Sequence, residues 1–193
     1  MRRQIVDIAG PSGIGKNAVI DAMVDRYKQC SRLVTATTRA PREGEMNGVD
    51  YYFFTEEKFL EELAKDNILE HRDVNTLKTH YGIYKPDLVK RLSEGRVVLA
   101  QLDVVGARYL KKHYGATTIF LQPENVEVLK NRILARKKGM PESELTKRMK
   151  IAEHEMQEDA KEFDYQVVNA EGKLKETVER VVAILEKEGY NLE

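Results

Sequence analysis

Short apolar runs alternate with amphipathic stretches along most of the chain. Ile5–Ala9, Leu33–Thr37, Val97–Leu102, Thr117–Leu121 and Tyr165–Val168 are brief and apolar, which predicts strands. Between them, apolar positions recur at helical spacing over Lys16–Tyr27, Pro86–Glu94, Val105–Tyr114, Val126–Arg136, Glu142–Ala160 and Lys173–Glu188. Strands that alternate with helices in this way form a parallel sheet covered by helices, so an α/β fold in three layers, α/β/α, is expected.

Two stretches interrupt the alternation. From Thr38 to Tyr84 the chain is rich in Tyr, Phe and turn residues, including Asn47-Gly48 and Tyr51-Tyr52-Phe53-Phe54. That composition predicts a small mixed or antiparallel insertion with one helix, Glu56–Asp66. The second break, Lys137-Lys138-Gly139-Met140-Pro141, separates two charged helices. A Gly–Pro break can hinge a mobile lid, and plain helical hairpins share the pattern. The expected organisation is a core of residues 1–37, 84–125 and 157–193, an insertion over 38–83 and a lid over 126–156.

The sharpest chemistry lies between the first strand and the first helix. Gly10-Pro11-Ser12-Gly13-Ile14-Gly15-Lys16-Asn17 is a phosphate-binding loop in every position but the last. The glycines let backbone N–H groups turn inward and converge on an anion at a helix N-terminus. Lys16 adds a full positive charge for the outer phosphates. Asn17 stands where Ser or Thr usually offers magnesium a hydroxyl. The loop implies a nucleoside triphosphate, and two insertions beside it suggest a phosphotransferase that closes over two substrates.

Bulk properties narrow the partners. Lys plus Arg and Asp plus Glu number 32 each, so no global field draws the chain to nucleic acid or membrane. No apolar run approaches the roughly 20 residues of a membrane-spanning helix. Cys30 is alone, and the N-terminal residues show no signal-peptide core, so a cytoplasmic location is expected. His71, His80, His113 and His154 show no metal-ligand spacing.

The first insertion concentrates anion chemistry. Pro41 pushes Ala40 into an extended conformation, which should project Arg39 and Arg42 to one side as a fork for a phosphate monoester. Tyr51 and Tyr81 offer phenolic donors. Glu70 ends an apolar stretch, where its carboxylate can accept two parallel hydrogen bonds from a base edge. Guanine has that donor pair; adenine does not.

Together these blocks resemble the guanylate kinase family from about Ile5 to Asn169. The resemblance is carried by GPSGIGKN, TATTRAPREGEMNGVDYYF, ILE before HYG, LDVVGA, NRILAR and FDYQVVN. It implies a P-loop NTPase core with a GMP-binding insertion and a helical lid, using ATP and Mg²⁺ to phosphorylate GMP to GDP in purine metabolism. Small-molecule substrates follow, with no nucleic-acid or membrane partner; a homodimer is compatible with it. By position, Arg39, Arg42, Tyr51 and Tyr81 would hold the GMP phosphate, and Thr35, Glu70 and Asp103 would read guanine, with Gly82 keeping the backbone close. Gly10 to Asn17 and Asn169 would bind ATP. Lys16 would fix the donor phosphates as a catalytic cation, and Arg132, Arg136 and Arg148 would embrace the transferred group.

The chain also departs from the family. Asn17 replaces a hydroxyl, Gln101 replaces an acid, Val105 replaces Gln, and Ile83 stands where Ser or Thr is common. Asn17 and Gln101 would then serve the metal weakly, through amide oxygens or water. Two other readings stay open at this point: a ribose 1,5-bisphosphate kinase-like phosphotransferase, and a catalytically impaired binding domain.

Overall fold

A computed structural model describes residues 3–74, 79–137 and 139–193. Its main sheet has five parallel strands: β1 (Ile5–Ala9), β2 (Cys30–Arg32), β7 (Val97–Ala100), β8 (Thr117–Gln122) and β9 (Tyr165–Val168). Their order is β2-β7-β1-β8-β9. β1 lies centrally, with Asp7 beside Ala100 on one flank and Thr118 on the other. β2 and β7 lie on one side of this strand and the later β8 and β9 on the other, so the strand order switches sides at β1, which opens a crevice at the carboxyl ends of the strands.

Helices cover both faces. Val6 and Ile8 pack with residues of α1 (Lys16–Arg26) and α7 (Leu174–Lys187), among them Val19, Ile20, Val181 and Leu185. Ile5, Val98 and Ala100 pack with Leu88 of α3 (Lys85–Ser93) and Leu110 of α4 (Val104–Tyr114). Side chains alternate across a strand, so β1 feeds both layers. Full burial of each large aliphatic group stabilises the fold by about 1.5–3 kcal/mol.

The second sheet has order β4-β3-β6-β5, from β3 (Ala36–Thr37), β4 (Tyr52–Phe53), β5 (Ile68–Val74) and β6 (Thr79–Tyr84). It mixes one parallel with two antiparallel pairings and carries one helix, α2 (Glu56–Ala64), capped by the Thr55 hydroxyl. Its own core is Ala36, Phe59 and Ile68.

Two expected elements are redrawn. The single strand Leu33–Thr37 is a crossing between sheets: Leu33 N still donates to Leu99 O, but Thr35 O accepts from Tyr52 N. The core strand is the preceding Cys30–Arg32. The long helix Glu142–Ala160 ends as α6 at Gln157, and a 3₁₀ turn follows over Asp159–Glu162. That turn drops Ala160 and Phe163 into the cluster with Ala9, Ala107 and Phe120. No helix of the described residues is long and apolar enough to cross a membrane.

Candidate active site

The phosphate loop leaves β1 where the sequence expects it. Gly10, Gly13 and Gly15 have φ of 139°, 88° and 98°, a backbone region that side chains rarely tolerate. At Gly10 the demand is also steric, since a Cβ would stand 2.5 Å from the Leu121 carbonyl oxygen. α1 starts after Gly15 without a side-chain cap, so its first amides open on the loop. Lys16 Nζ arches over the loop, donating to Gly10 O at 2.5 Å and Pro11 O at 3.1 Å. Ser12 is exposed, while Pro11 and Ile14 are buried.

Behind the loop, Ile14 is a core side chain whose N–H donates to Pro11 O at 3.2 Å. Its carbonyl accepts from Asn169 Nδ2 at 2.7 Å and Arg132 Nη1 at 3.3 Å. Asn169 Oδ1 accepts from Thr177 Oγ1 at 2.9 Å, and its carbonyl accepts from Arg132 Nη2 at 3.1 Å. The amide of Asn169 is thus committed on both sides within the protein. It braces the loop from the end of β9.

α5 (Val126–Arg136) lies on the loop, and Ile133 Cγ1 would stand 3.1 Å from a Cβ at Gly13. This packing is what brings Arg132 to the loop. Arg148 on α6 points elsewhere: its Nε and Nη2 both donate to Glu144, at 3.1 and 2.9 Å, and Lys137 shares that carboxylate. The side chain of Arg136 lies outside the described residues.

On the insertion, the expected two-arginine fork takes a different form. Arg39 Nε donates to Tyr81 Oη at 3.1 Å, and its Nη1 and Nη2 donate to Glu45, each at 2.9 Å. Arg42 contributes its backbone N–H to the same carboxylate at 2.7 Å, while its side chain belongs to an exposed residue. The Arg39 guanidinium lies over the Tyr51 ring at 5.4 Å, and Tyr51 meets Tyr81 edge-on at 6.0 Å. Glu45 raises Arg39 above its ordinary range, and Arg39 in turn holds the Glu45 carboxyl below its own. The result is one rigid cation with a phenol beside it.

Of the three residues expected to read a base, Glu70 and Asp103 come together. β5 carries a register shift between Ile68 and His71, the stretch holding Glu70. Such irregularities re-aim side chains. Gly82 makes this possible, because a Cβ there would stand 2.5 Å from Ile68 Cγ2 and 3.0 Å from Glu70 O. Its closeness serves the strand pair. Glu70 Oε2 reaches beneath α4, 3.3 Å from where a Gly106 Cβ would stand. Asp103 caps α4 through Oδ1, accepting from Val105 N and Gly106 N at 3.1 Å, and takes Arg72 Nη1 on Oδ2 at 2.7 Å. Burial first, then repulsion from Asp103, pushes Glu70 up to about 7, against the pull of Arg72. Thr35 stands at the crossing between the sheets, half-buried. Ile83, by contrast, is a fully buried core residue.

At the metal-side positions, Asn17 Oδ1 faces Arg32 Nη1 at 3.5 Å, and Arg32 also pairs with Asp21 at 2.6 Å. A guanidinium there disfavours a second cation at Asn17. Gln101 differs, since its Oε1 is buried without a hydrogen-bond partner. A free oxygen suits magnesium or its water, so Gln101 fits the expected metal side where Asn17 does not.

Comparison with known proteins agrees with this arrangement. A family model described as guanylate kinase matches residues 1–188. The chain belongs to the guanylate kinase family. The guanylate kinase of Synechocystis sp. is 34% identical over 189 residues, covering 97% of this chain and 96% of that protein. That of Clostridium perfringens is 38% identical over 185 residues, covering 95% and 83%. The crystal structure of guanylate kinase from Anaplasma phagocytophilum superposes with a TM-score of 0.73 at 27% identity, covering 98% of this chain and 88% of that one. Shikimate kinase from Bacteroides thetaiotaomicron, at 16% identity and a TM-score of 0.50, shares the fold over 94% of this chain. The chain is a kinase with a phosphate-loop α/β core.

Three residues of this guanylate kinase family member escape a reading of its sequence. Glu45 sits in a turn closed by its own N–H on Arg42 O, with Gly44 at φ 84°. The Gly44-Glu45 pair after Arg42 was the available signal. Glu155 on α6 is half-buried, and burial raises it while the nearby Lys16 lowers it. One acid among many on a charged helix gives no sequence signal. Asp7 is the only charged residue of β1.

Proposed function

We propose that this protein transfers the γ-phosphoryl group of ATP to GMP, giving ADP and GDP, in cytoplasmic purine nucleotide metabolism. The observation that carries the reading is the half-buried Glu70 beside Asp103, on the same small sheet as the Arg39–Tyr81–Tyr51 cradle. Guanine N1–H and its amino group would both donate to Glu70, while the GMP phosphate would lie against the Tyr81 phenol and the Arg39 face. Residues 38–83 then form the acceptor-binding insertion and residues 126–156 the closing lid.

The acceptor oxygen is already ionised, so attack on the γ-phosphorus needs no general base. One bond forms from a GMP phosphate oxygen to the γ-phosphorus as the bond to the ADP oxygen breaks. What the chain supplies is alignment and neutralisation of charge. The loop amides and Lys16 hold the donor, and Arg132 reaches the same loop from α5. Gln101 would hold the magnesium that arrives with ATP, and the ion would supply neutralisation of the phosphate charge. Closure of α6 over the crevice excludes water that would otherwise hydrolyse ATP.

Product analysis tests this directly. ATP with GMP should give ADP and GDP in equal amounts, and ribose 1,5-bisphosphate should give no product. Turnover of the sugar bisphosphate in place of GMP would transfer the chain to the bisphosphate kinases. Nucleotide binding without turnover would make it a binding domain.

A further inference from the structure

The two acids beside α4 share a cation. Side chains alternate along β5. His71 meets the Phe59 ring at 6.3 Å, and Asp73 pairs with His80, which stacks on the same ring at 5.2 Å. Glu70 and Arg72 therefore turn to the other side, toward α4, where Gly106 leaves room for the Glu70 carboxyl. Arg72 Nη1 crosses from the small sheet to Asp103 Oδ2 at 2.7 Å, while Asp103 Oδ1 stays committed to the α4 amides.

Acids dominate the surroundings. Asp103 faces Glu70 from α4, Glu155 of α6 stands within electrostatic reach of Asp103 and Arg72, and Asp7 of β1 within reach of Asp103. Lys16 acts on Glu155 and Asp7 from the donor loop. Arg72 is the cation that acts on Glu70 itself, drawing its carboxyl down against burial and Asp103.

Protonation decides what this carboxyl can read. Ionised, it offers two acceptors, which match the N1–H and amino donors of guanine. Neutral, it offers one acceptor and one O–H donor, and that donor opposes guanine N1–H but suits the N1 acceptor of adenine. Two carboxyls facing one another without a cation favour holding a proton.

We propose that Arg72 is a specificity-determining residue: its guanidinium, tied to Asp103, compensates the paired acids so that Glu70 meets the base as a double acceptor. The proposal rests on the reading of Glu70 as a guanine acceptor, and Arg72 acts through that residue as a positioning group. Its side chain is 63% exposed, so solvent screens it and its effect falls at the low end of what a neighbouring charge can do.

The test is GMP and AMP affinity by calorimetry from about pH 6 to about pH 8.5 in wild type, Arg72→Gln and Arg72→Lys, and in the same three with Glu70→Gln added. Arg72→Gln should move the rise in GMP affinity up by about one pH unit, a loss of about fivefold near pH 7 that shrinks below about twofold near pH 8.5. The GMP-to-AMP ratio near pH 7 should fall with it. Arg72→Lys should keep the wild-type profile, and neither substitution should change the profile once Glu70→Gln is present. A wild-type profile in Arg72→Gln, or one uniform loss at every pH, overturns the proposal and leaves Arg72 as a surface tie to Asp103. A wild-type profile parallel to that of Glu70→Gln alone overturns the guanine-reader assignment, and this proposal with it.

Discussion

Around the phosphate loop, Asn169, Arg132 and the buried Ile14 side chain fix a backbone from the core side. Around Arg39, one carboxylate and one phenol fix a side chain from within a small sheet. The proposed donor site is therefore a matter of backbone shape, imposed by three glycines at positive φ and by close contacts such as Leu121 O on Gly10. The proposed acceptor site is a matter of charge placement. Opposing charges at short range depend on protonation and salt, whereas a packed loop does not. A transferase benefits from both: a fixed donor, and an acceptor pocket that recognises its ligand by charge and hydrogen bonding.

The largest effect expected to sharpen this contrast is base selectivity. Adenine would leave the buried Glu70 facing the wrong donors, and sites of this kind reject the mismatched ligand by about 10⁴ in kcat/KM. Competing GMP against AMP measures it, and Glu70→Gln should erase most of the ratio. AMP turnover equal to GMP turnover would break the reader assignment.

Next come paired substitutions, one in each half. Lys16→Ala should lower kcat by about 10²–10³ and leave the GMP dissociation constant nearly unchanged. Arg39→Ala should instead raise the KM for GMP and spare ATP-analogue binding. If each variant damaged both ligands alike, the separation of donor and acceptor duties would fail.

Much of this was legible in the sequence because local rules dominate. Alternating strands and helices placed the parallel sheet, and the glycine spacing placed the loop, since both depend on residues adjacent in the chain. Tertiary contacts escaped. Leu33–Thr37 reads as one strand, yet Tyr52, arriving from the insertion, takes the Thr35 carbonyl and divides it. Asn169 reads as a turn former or ligand contact, and its partner Ile14 is 155 residues away in the chain. Arg39 and Arg42 read as twins until Glu45 takes the guanidinium of one and the backbone of the other.

The smallest effect is also the most direct test of the central claim, that an ionised Glu70 reads guanine. Its carboxyl titrates at about 7 in the fold against an ordinary 4.5. The folded protein thus holds this proton more tightly than the unfolded chain does, and the group's contribution to stability falls as pH rises between those values. Guanine binding runs the opposite way, because only the ionised carboxylate accepts two donors. The measurement is GMP affinity by calorimetry from about pH 6 to about pH 8 in wild type and Glu70→Gln. The GMP phosphate itself titrates near about 6 and affects both proteins alike. Wild-type affinity should climb relative to the variant as pH passes about 7. Parallel profiles in the two proteins would contradict the account.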